Sequence, residues 1–361
     1  MMGHKQKGQL AVSKEWAKHL RKFWRRQYWK MERRAGKNKI RKDRMEAIAA
    51  RFYRGCALVL FGLLASLTTP KGNDPLDAIP SSFRYRSAFE RIAFLPGARP
   101  LLISRYETSN AEYKEFLQYV RDSLRETDVS KLLYALPGGQ VIPVYPDTLV
   151  WLKDFAYTVN EPFTRHYFSS SAFAAYPVVG ISQKQALAYC DWKTRMWNKM
   201  LAATGDKKHR FLFSLPTRSE WEHAAWEKSP FTVLDRTQTK GYPMPLYREK
   251  LLNKGYKYNF GLIKDDNNFR VKDYADDGAF FMAPCNAYKP NANGIFNLCG
   301  NVAEWTLDTT APSPGTDSAI VKGGSWCSGA SYLQPAADQH FACNETHSYL
   351  GFRVVLKVIQ P

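Results

Sequence analysis

Apolar residues recur at helical spacing in three segments, and each segment begins with the same polar signal. A Ser or Thr stands three residues before a Glu or Gln at Ser109, Ser182 and Thr217. In such a capping box, the two side chains satisfy backbone N–H groups that have no partner at a helix start. The pattern predicts three helices, whose apolar faces comprise Tyr113, Phe116, Leu117 and Val120, then Ala188, Tyr189, Trp192 and Trp197, then Trp221 and Ala225.

Short apolar runs without helical spacing predict extended chain before each helix and again near the end. They lie at residues 101–106, 176–181, 210–215, 319–322 and 351–358. Between about 228 and 320 the pattern predicts long irregular connections. Loops of that length inside a domain usually bind a ligand or are held by a crosslink such as a disulfide or a metal ion. The expected class is therefore α+β with little regular secondary structure.

Charge is concentrated at the N-terminus. Residues 1–54 hold 18 Lys and Arg against 4 acids, which is +14 of the formal net charge of +19. We divide the chain into this basic segment (1–54), an apolar run (55–69), a Pro- and Gly-containing linker (70–85) and a folded domain (86–361). The basic segment interleaves aromatic residues, so it fits an amphipathic helix on an anionic membrane face, or nucleic acid. An exported protein meets little nucleic acid, so no such partner is expected.

The apolar run from Cys56 to Leu67 is about a dozen residues long, which suits a signal peptide better than a membrane span of roughly 20 residues. Arg51 and Arg54 precede it, as export requires, whereas a buried core helix is the alternative. A start at Met45 would give a leader of ordinary size. Whether the run is cleaved stays open.

Six cysteines without C-x-x-C spacing argue against a zinc site, and export would permit disulfides of undetermined pairing. Side-chain and backbone oxygens suited to Ca²⁺ cluster in two segments, around Asn259 and Asp277 and around Asn297 and Glu304. Such Asn, Asp and Gly clusters more often form only turns.

Four motifs resemble the formylglycine-generating-enzyme, or sulfatase-modifying-factor, family in order and spacing. They lie at residues 215–225, 294–305, 323–326 and 351–354. The resemblance implies an irregular α+β fold related to C-type lectins. It also implies two structural calcium sites, one with Asn259, Phe260, Asp277 and Ala279 and the other with Asn297, Gly300, Val302 and Glu304.

The enzymes of this family carry two copper-binding thiols after Gly-Gly-Ser-Trp, and this chain has Ser328 and Leu333 at those positions. Cys327 lies one residue away, on the opposite face of an extended segment. We therefore expect no copper, no catalytic residues and no enzyme activity. The alternatives are a copper-dependent oxidase that modifies a cysteine-containing polypeptide through Cys327 and Cys343, and a ligand-binding module.

Segments at 113–122, 145–154, 160–162, 167–168 and 176–180 resemble the gliding-motility lipoproteins K and J of the Bacteroidetes type IX secretion machinery. This resemblance implies a non-catalytic scaffold at the periplasmic face of the outer membrane, a periplasmic ring partner and homo-oligomers. Those lipoproteins end the apolar run with a lipid-carrying Cys. Cys56 lies at the other end of the run, so the resemblance leaves lipid attachment open.

Overall fold

The computed structural model describes residues 90–95, 100–154, 161–207, 209–226, 258–265, 268–271, 279, 281–291, 293–310 and 317–359. The basic segment, the apolar run and the linker lie outside these residues. The predicted domain boundaries after residues 54, 69 and 85 stay predictions. Contacts between Cα atoms divide the chain into two units. One unit includes Trp151–Phe173, and the other includes Pro70–Val150 and Ala174–Pro361. In the first unit, Trp151 stacks on Phe163 with ring centroids 4.9 Å apart.

All three predicted capping boxes are present. The Ser109 N–H donates to Glu112 Oε2 at 3.0 Å while the Glu112 N–H donates to Ser109 Oγ at 3.3 Å, and the other two boxes repeat this exchange. They begin the long helices α1, α4 and α5. The helices are α1 (Asn110–Leu124), α2 (Val150–Lys153), α3 (Glu161–His166), α4 (Gln183–Ala203) and α5 (Arg218–Trp226).

Twelve strands lie within the described residues, and most are short. They are β1 (Ile92–Leu95), β2 (Leu101–Ser104), β3 (Leu133–Ala135), β4 (Val141–Pro143), β5 (Arg210–Ser214), β6 (Leu262–Asp265), β7 (Asn268–Val271), β8 (Ala303–Thr310), β9 (Ser318–Lys322), β10 (Gln339–Ala342), β11 (Leu350–Gly351) and β12 (Val355–Ile359). Two four-stranded sheets have the orders β1-β2-β12-β5 and β10-β9-β8-β11, and β3-β4 and β6-β7 form separate hairpins. The mixed helix and strand content agrees with the predicted α+β class.

Helix α4 protects the outer edge of β5. Asn198 donates to the Phe211 carbonyl at 2.7 Å and accepts from the Phe211 N–H at 2.8 Å, and Thr194 accepts from the Phe213 N–H at 2.9 Å. Because an unpaired strand edge invites pairing with other chains, these side chains replace a missing neighbouring strand.

The predicted extended segment at 176–181 forms no strand. Among the described residues, its one ladder contact is an isolated bridge between Ser109 and Pro177, although residues 177–181 are buried. A run of Val and Ile can be buried in the core whether or not its backbone pairs with a neighbouring strand. The apolar pattern alone therefore assigned a strand to this segment wrongly. The segment 351–358 is also interrupted, with β11 and β12 lying in different sheets.

Large aromatic side chains fill the core of the second unit. Trp192, Trp221, Trp305 and Trp326 are all at most 8% exposed. None of the helices in the described part of the chain is long and apolar enough to cross a membrane.

Candidate metal centre

A buried ion pair joins the start of β8 to the segment between β11 and β12. Arg353 is fully buried and Glu304 is 1% exposed. Two guanidinium nitrogens of Arg353, Nε and Nη2, donate to Glu304 Oε2 and Oε1, each at 2.6 Å. Trp221 Nε1 adds a third donor to Oε2 at 2.7 Å. A carboxylate has about four acceptor positions, so one position on Oε1 is left for another donor or a cation.

A second buried carboxylate, Glu107, belongs to the same network. Its Oε2 accepts from Asn297 Nδ2 at 3.0 Å, and its Oε1 accepts from Asn301 Nδ2 at 2.8 Å. Burial raises the pKa of Glu107 from 4.5 to about 8, and the nearby Arg353 lowers it only in part. With both carboxyl groups ionised, the cluster carries two negative charges against the single positive charge of Arg353.

This donor set fits the chemistry of calcium, for which the sequence predicted part of it. Calcium takes six to eight oxygen ligands from carboxylates, amides, carbonyls and water. Such ligands would come from the two buried carboxylates, the amide oxygen of Asn297 and the carbonyl oxygens of Gly300 and Val302. The bound ion would then offset the excess negative charge of the ionised carboxylates. Within the described ranges, no group of three or more His, Cys, Asp or Glu could hold a metal ion.

The two predicted calcium sets lie against each other at Gly300. This residue has φ +88°, and a Cβ there would lie 2.2 Å from the carbonyl oxygen of Asn259. Asn259 is 1% exposed, Phe260 is half-buried and Ala279 is buried, whereas Asp277 lies outside the described residues. The first set is therefore only partly seen, and both calcium sites stay predictions.

Sequence reasoning missed Glu107, Asn301 and Arg353. Glu107 lies just after the predicted extended segment 101–106 and two residues before Ser109, where the first capping box begins. One signal was available in the sequence. Arg353 lies in a predicted core strand, and a buried charge needs a partner, so a carboxylate beside a predicted strand end, such as Glu107, was a candidate.

The two positions that carry thiols in the enzymes are occupied by well-packed side chains. Ser328 Oγ lies 2.8 Å from Ser325 Oγ and accepts the Ser325 N–H at 3.0 Å, which closes a turn. Leu333 is 1% exposed and packs with Cys299, Tyr258 and Phe260. Cys327 Sγ lies 3.3 Å from Ser325 Oγ.

None of the five cysteines in the described residues is part of a disulfide. Cys190, Cys285, Cys299 and Cys343 are buried and Cys327 is partly exposed. Burial raises the pKa of the Cys190 and Cys299 thiols to about 12, which makes them inert at neutral pH. The structure therefore shows no Cys327–Cys343 disulfide.

The raised pKa of Glu107 predicts a pH dependence of stability in the metal-free protein. The folded state keeps the Glu107 proton up to about pH 8, whereas the unfolded chain loses it near pH 4.5. The stabilising contribution is therefore complete below pH 4.5 and is lost as the pH rises through 8. Glu107→Gln should remove this slope in urea unfolding between pH 5 and 8 with EDTA present. The exposed control Asp122→Asn should keep it, and equal slopes in all three proteins would contradict the prediction.

Comparison with known proteins identifies several relatives. The chain is 29% identical over 280 residues to the formylglycine-generating enzyme of Thermomonospora curvata, an alignment that covers 70% of this chain and 81% of that protein. It is 32% identical over 151 residues to the inactive C-alpha-formylglycine-generating enzyme 2 of mouse, covering 42% of this chain and 37% of that protein. Among solved structures, PvdO from Pseudomonas aeruginosa aligns at 19% identity with a TM-score of 0.42, over 73% of this chain and 82% of that one.

These relatives correct one prediction. The expectation that the chain is not an enzyme is wrong, because relatives aligned over about 70% of it are named as enzymes. Two substituted thiols exclude one arrangement of ligands and do not by themselves establish inactivity. The family model for the sulfatase-modifying factor enzyme 1-like domain matches residues 85–358. The chain belongs to this family of formylglycine-generating-enzyme-like proteins.

Proposed function

We propose that this family member binds partner proteins in the cell envelope, as part of a secretion or gliding-motility apparatus, and that calcium holds its central cluster. The support for the apparatus is the resemblance of the segments at 113–122, 145–154, 160–162, 167–168 and 176–180 to the type IX secretion lipoproteins. The proposed location is the periplasmic face of the outer membrane, with a ring-forming partner and further copies of the chain.

The observation that carries the proposal is the packing at Ser328 and Leu333. Copper(I) prefers soft thiolate ligands, and these positions offer a hydroxyl that closes a turn and an alkyl group buried in an apolar cluster. These two positions therefore lack the thiolate ligands of the enzymes, which disfavours two-thiolate copper ligation and supports a role other than the family reaction.

Calcium would be held by Glu107, Glu304 and Asn297 side chains with the Gly300 and Val302 carbonyls. Bound there, it would supply positive charge to a buried cluster that has an excess carboxylate. Asn297 and Asn301 would orient Glu107, and Arg353 would fix Glu304. Calcium in the cluster would therefore make the protein that a partner contacts more rigid.

Crosslinking in the native envelope tests the proposed partnership. A tagged chain should fractionate with the envelope and form crosslinks to other envelope proteins and to itself. Crosslinked bands should disappear when the tagged protein is unfolded before the reagent is added. A soluble, monomeric chain of 41.4 kDa without envelope partners would contradict the proposal.

A second candidate is oxidation of a cysteine-containing polypeptide, which the names of the relatives and the partly exposed Cys327 beside Ser325 favour. A peptide-conversion assay with added copper distinguishes the two functions. Conversion by the natural chain, lost in Cys327→Ser, would establish the oxidase, whereas an unchanged peptide mass leaves partner binding as the better account.

A further inference from the structure

One short segment, residues 259–261, contacts two parts of the protein. One is the polar cluster of Glu107, Asn297, Asn301, Glu304 and Arg353, and the other is the loop that carries Cys327 (residues 323–329). At its first residue, the Asn259 carbonyl accepts the Asn301 N–H at 2.8 Å, and Asn259 Nδ2 donates to Asn301 Oδ1 at 3.2 Å. Asn301 in turn donates to Glu107. The segment is therefore fixed to the cluster by backbone and side-chain hydrogen bonds.

The other end of the segment is pressed against the Cys327 loop. The Gly261 N–H donates to the Ser328 carbonyl at 2.9 Å. A Cβ on Gly261 would lie 2.4 Å from the Cys327 Cα, so the two backbones are in direct contact. Between the ends, Phe260 packs on Cys299 and Leu333.

We infer that residues 259–261 couple the polar cluster to the Cys327 loop, so that calcium in the cluster controls access to the Cys327 thiol. This inference rests on the calcium part of the proposed function. A ligand that binds only the closed cluster stabilises it by mass action. Opening of the loop requires the contacts of Gly261 and Phe260 to separate, so stabilisation of the cluster opposes local opening.

Cys327 reports on this opening. It is partly exposed, whereas the other four cysteines of the described residues are buried. Mapping of the alkylated peptides separates the Cys327 signal from that of every other thiol, including Cys56, which lies outside the described residues. The alkylation rate of Cys327 above its rate in the closed loop therefore measures opening of the loop.

The experiment is pulsed alkylation of the full chain with iodoacetamide, in calcium and in EDTA, with thermal melting recorded on the same samples. At calcium about ten times its Kd, the part of the Cys327 alkylation rate that depends on loop opening should be about tenfold slower than in EDTA. If calcium raises the melting temperature and leaves this rate unchanged, the coupling is wrong and the calcium site stands. If neither quantity changes, both proposals fail.

Two variants test the segment itself. Gly261→Ala should speed alkylation of Cys327 and abolish its calcium dependence, because the new Cβ separates the segment from the loop. Asn301→Ala should speed alkylation even in EDTA. The matched control is Gly329→Ala in the same loop, whose Cβ would meet only Ser331 Oγ at 3.9 Å, and it should behave like the natural chain. Natural rates in Gly261→Ala and Asn301→Ala would overturn the inference.

Discussion

Replacing Arg353 with methionine is expected to lower the free energy of unfolding by about 3–5 kcal/mol, the usual cost of removing one partner of a buried ion pair. Glu304 is 1% exposed and would be left with Trp221 as its remaining side-chain donor. The substitution would also remove the guanidinium donors from the Ser104 and Phe296 carbonyls. Urea unfolding measures the loss.

The matched comparison is Lys357→Met, which removes a surface ion pair. Lys357 contacts Glu220 at 3.0 Å, with the two side chains 42% and 24% exposed. Water replaces such a partner, so a change of at most about 1 kcal/mol is expected. Arg353→Lys should fall between the two, because it keeps the charge but loses the two-pronged donor geometry. Equal losses in Arg353→Met and Lys357→Met would contradict the assigned role.

Helix starts could be predicted because their determinants are local. A capping box needs residues three positions apart, and the apolar face that follows needs only helical spacing. The buried residues Tyr113, Phe116 and Val120 of α1 lie where the pattern places them. The strand β8 was missed for the opposite reason, since its first residues belong to a Gly- and Asn-containing segment that looks like a turn.

The polar cluster could be predicted only in part. Asn297, Gly300 and Glu304 are close in sequence and were identified together. Glu107 lies 190 residues from Asn297, and Arg353 lies 49 residues from Glu304. Their meeting depends on the order of strands in two sheets, which no local spacing determines. The resemblance to a known family supplied candidate ligands, whereas the excess negative charge became visible only with the structure.

Removal of calcium is the other change expected to have a large effect. A ligand at about 1,000 times its Kd stabilises the state that binds it by about 4 kcal/mol. The cluster should show most of this effect, because its two buried carboxyl groups can both be ionised at neutral pH only when a cation offsets their charge. Glu107→Gln removes one of those charges, so it should weaken calcium binding and shrink the difference between calcium and EDTA. Asp122→Asn, whose side chain is 64% exposed, should not.

Thermal melting of the purified full chain, in millimolar calcium and in excess EDTA, tests most directly whether a cation holds the centre of this protein. The account predicts a clearly higher melting temperature in calcium for the natural chain and for Asp122→Asn, with most of the difference lost in Glu107→Gln. The same melting temperature in calcium and in EDTA for the natural chain would contradict it.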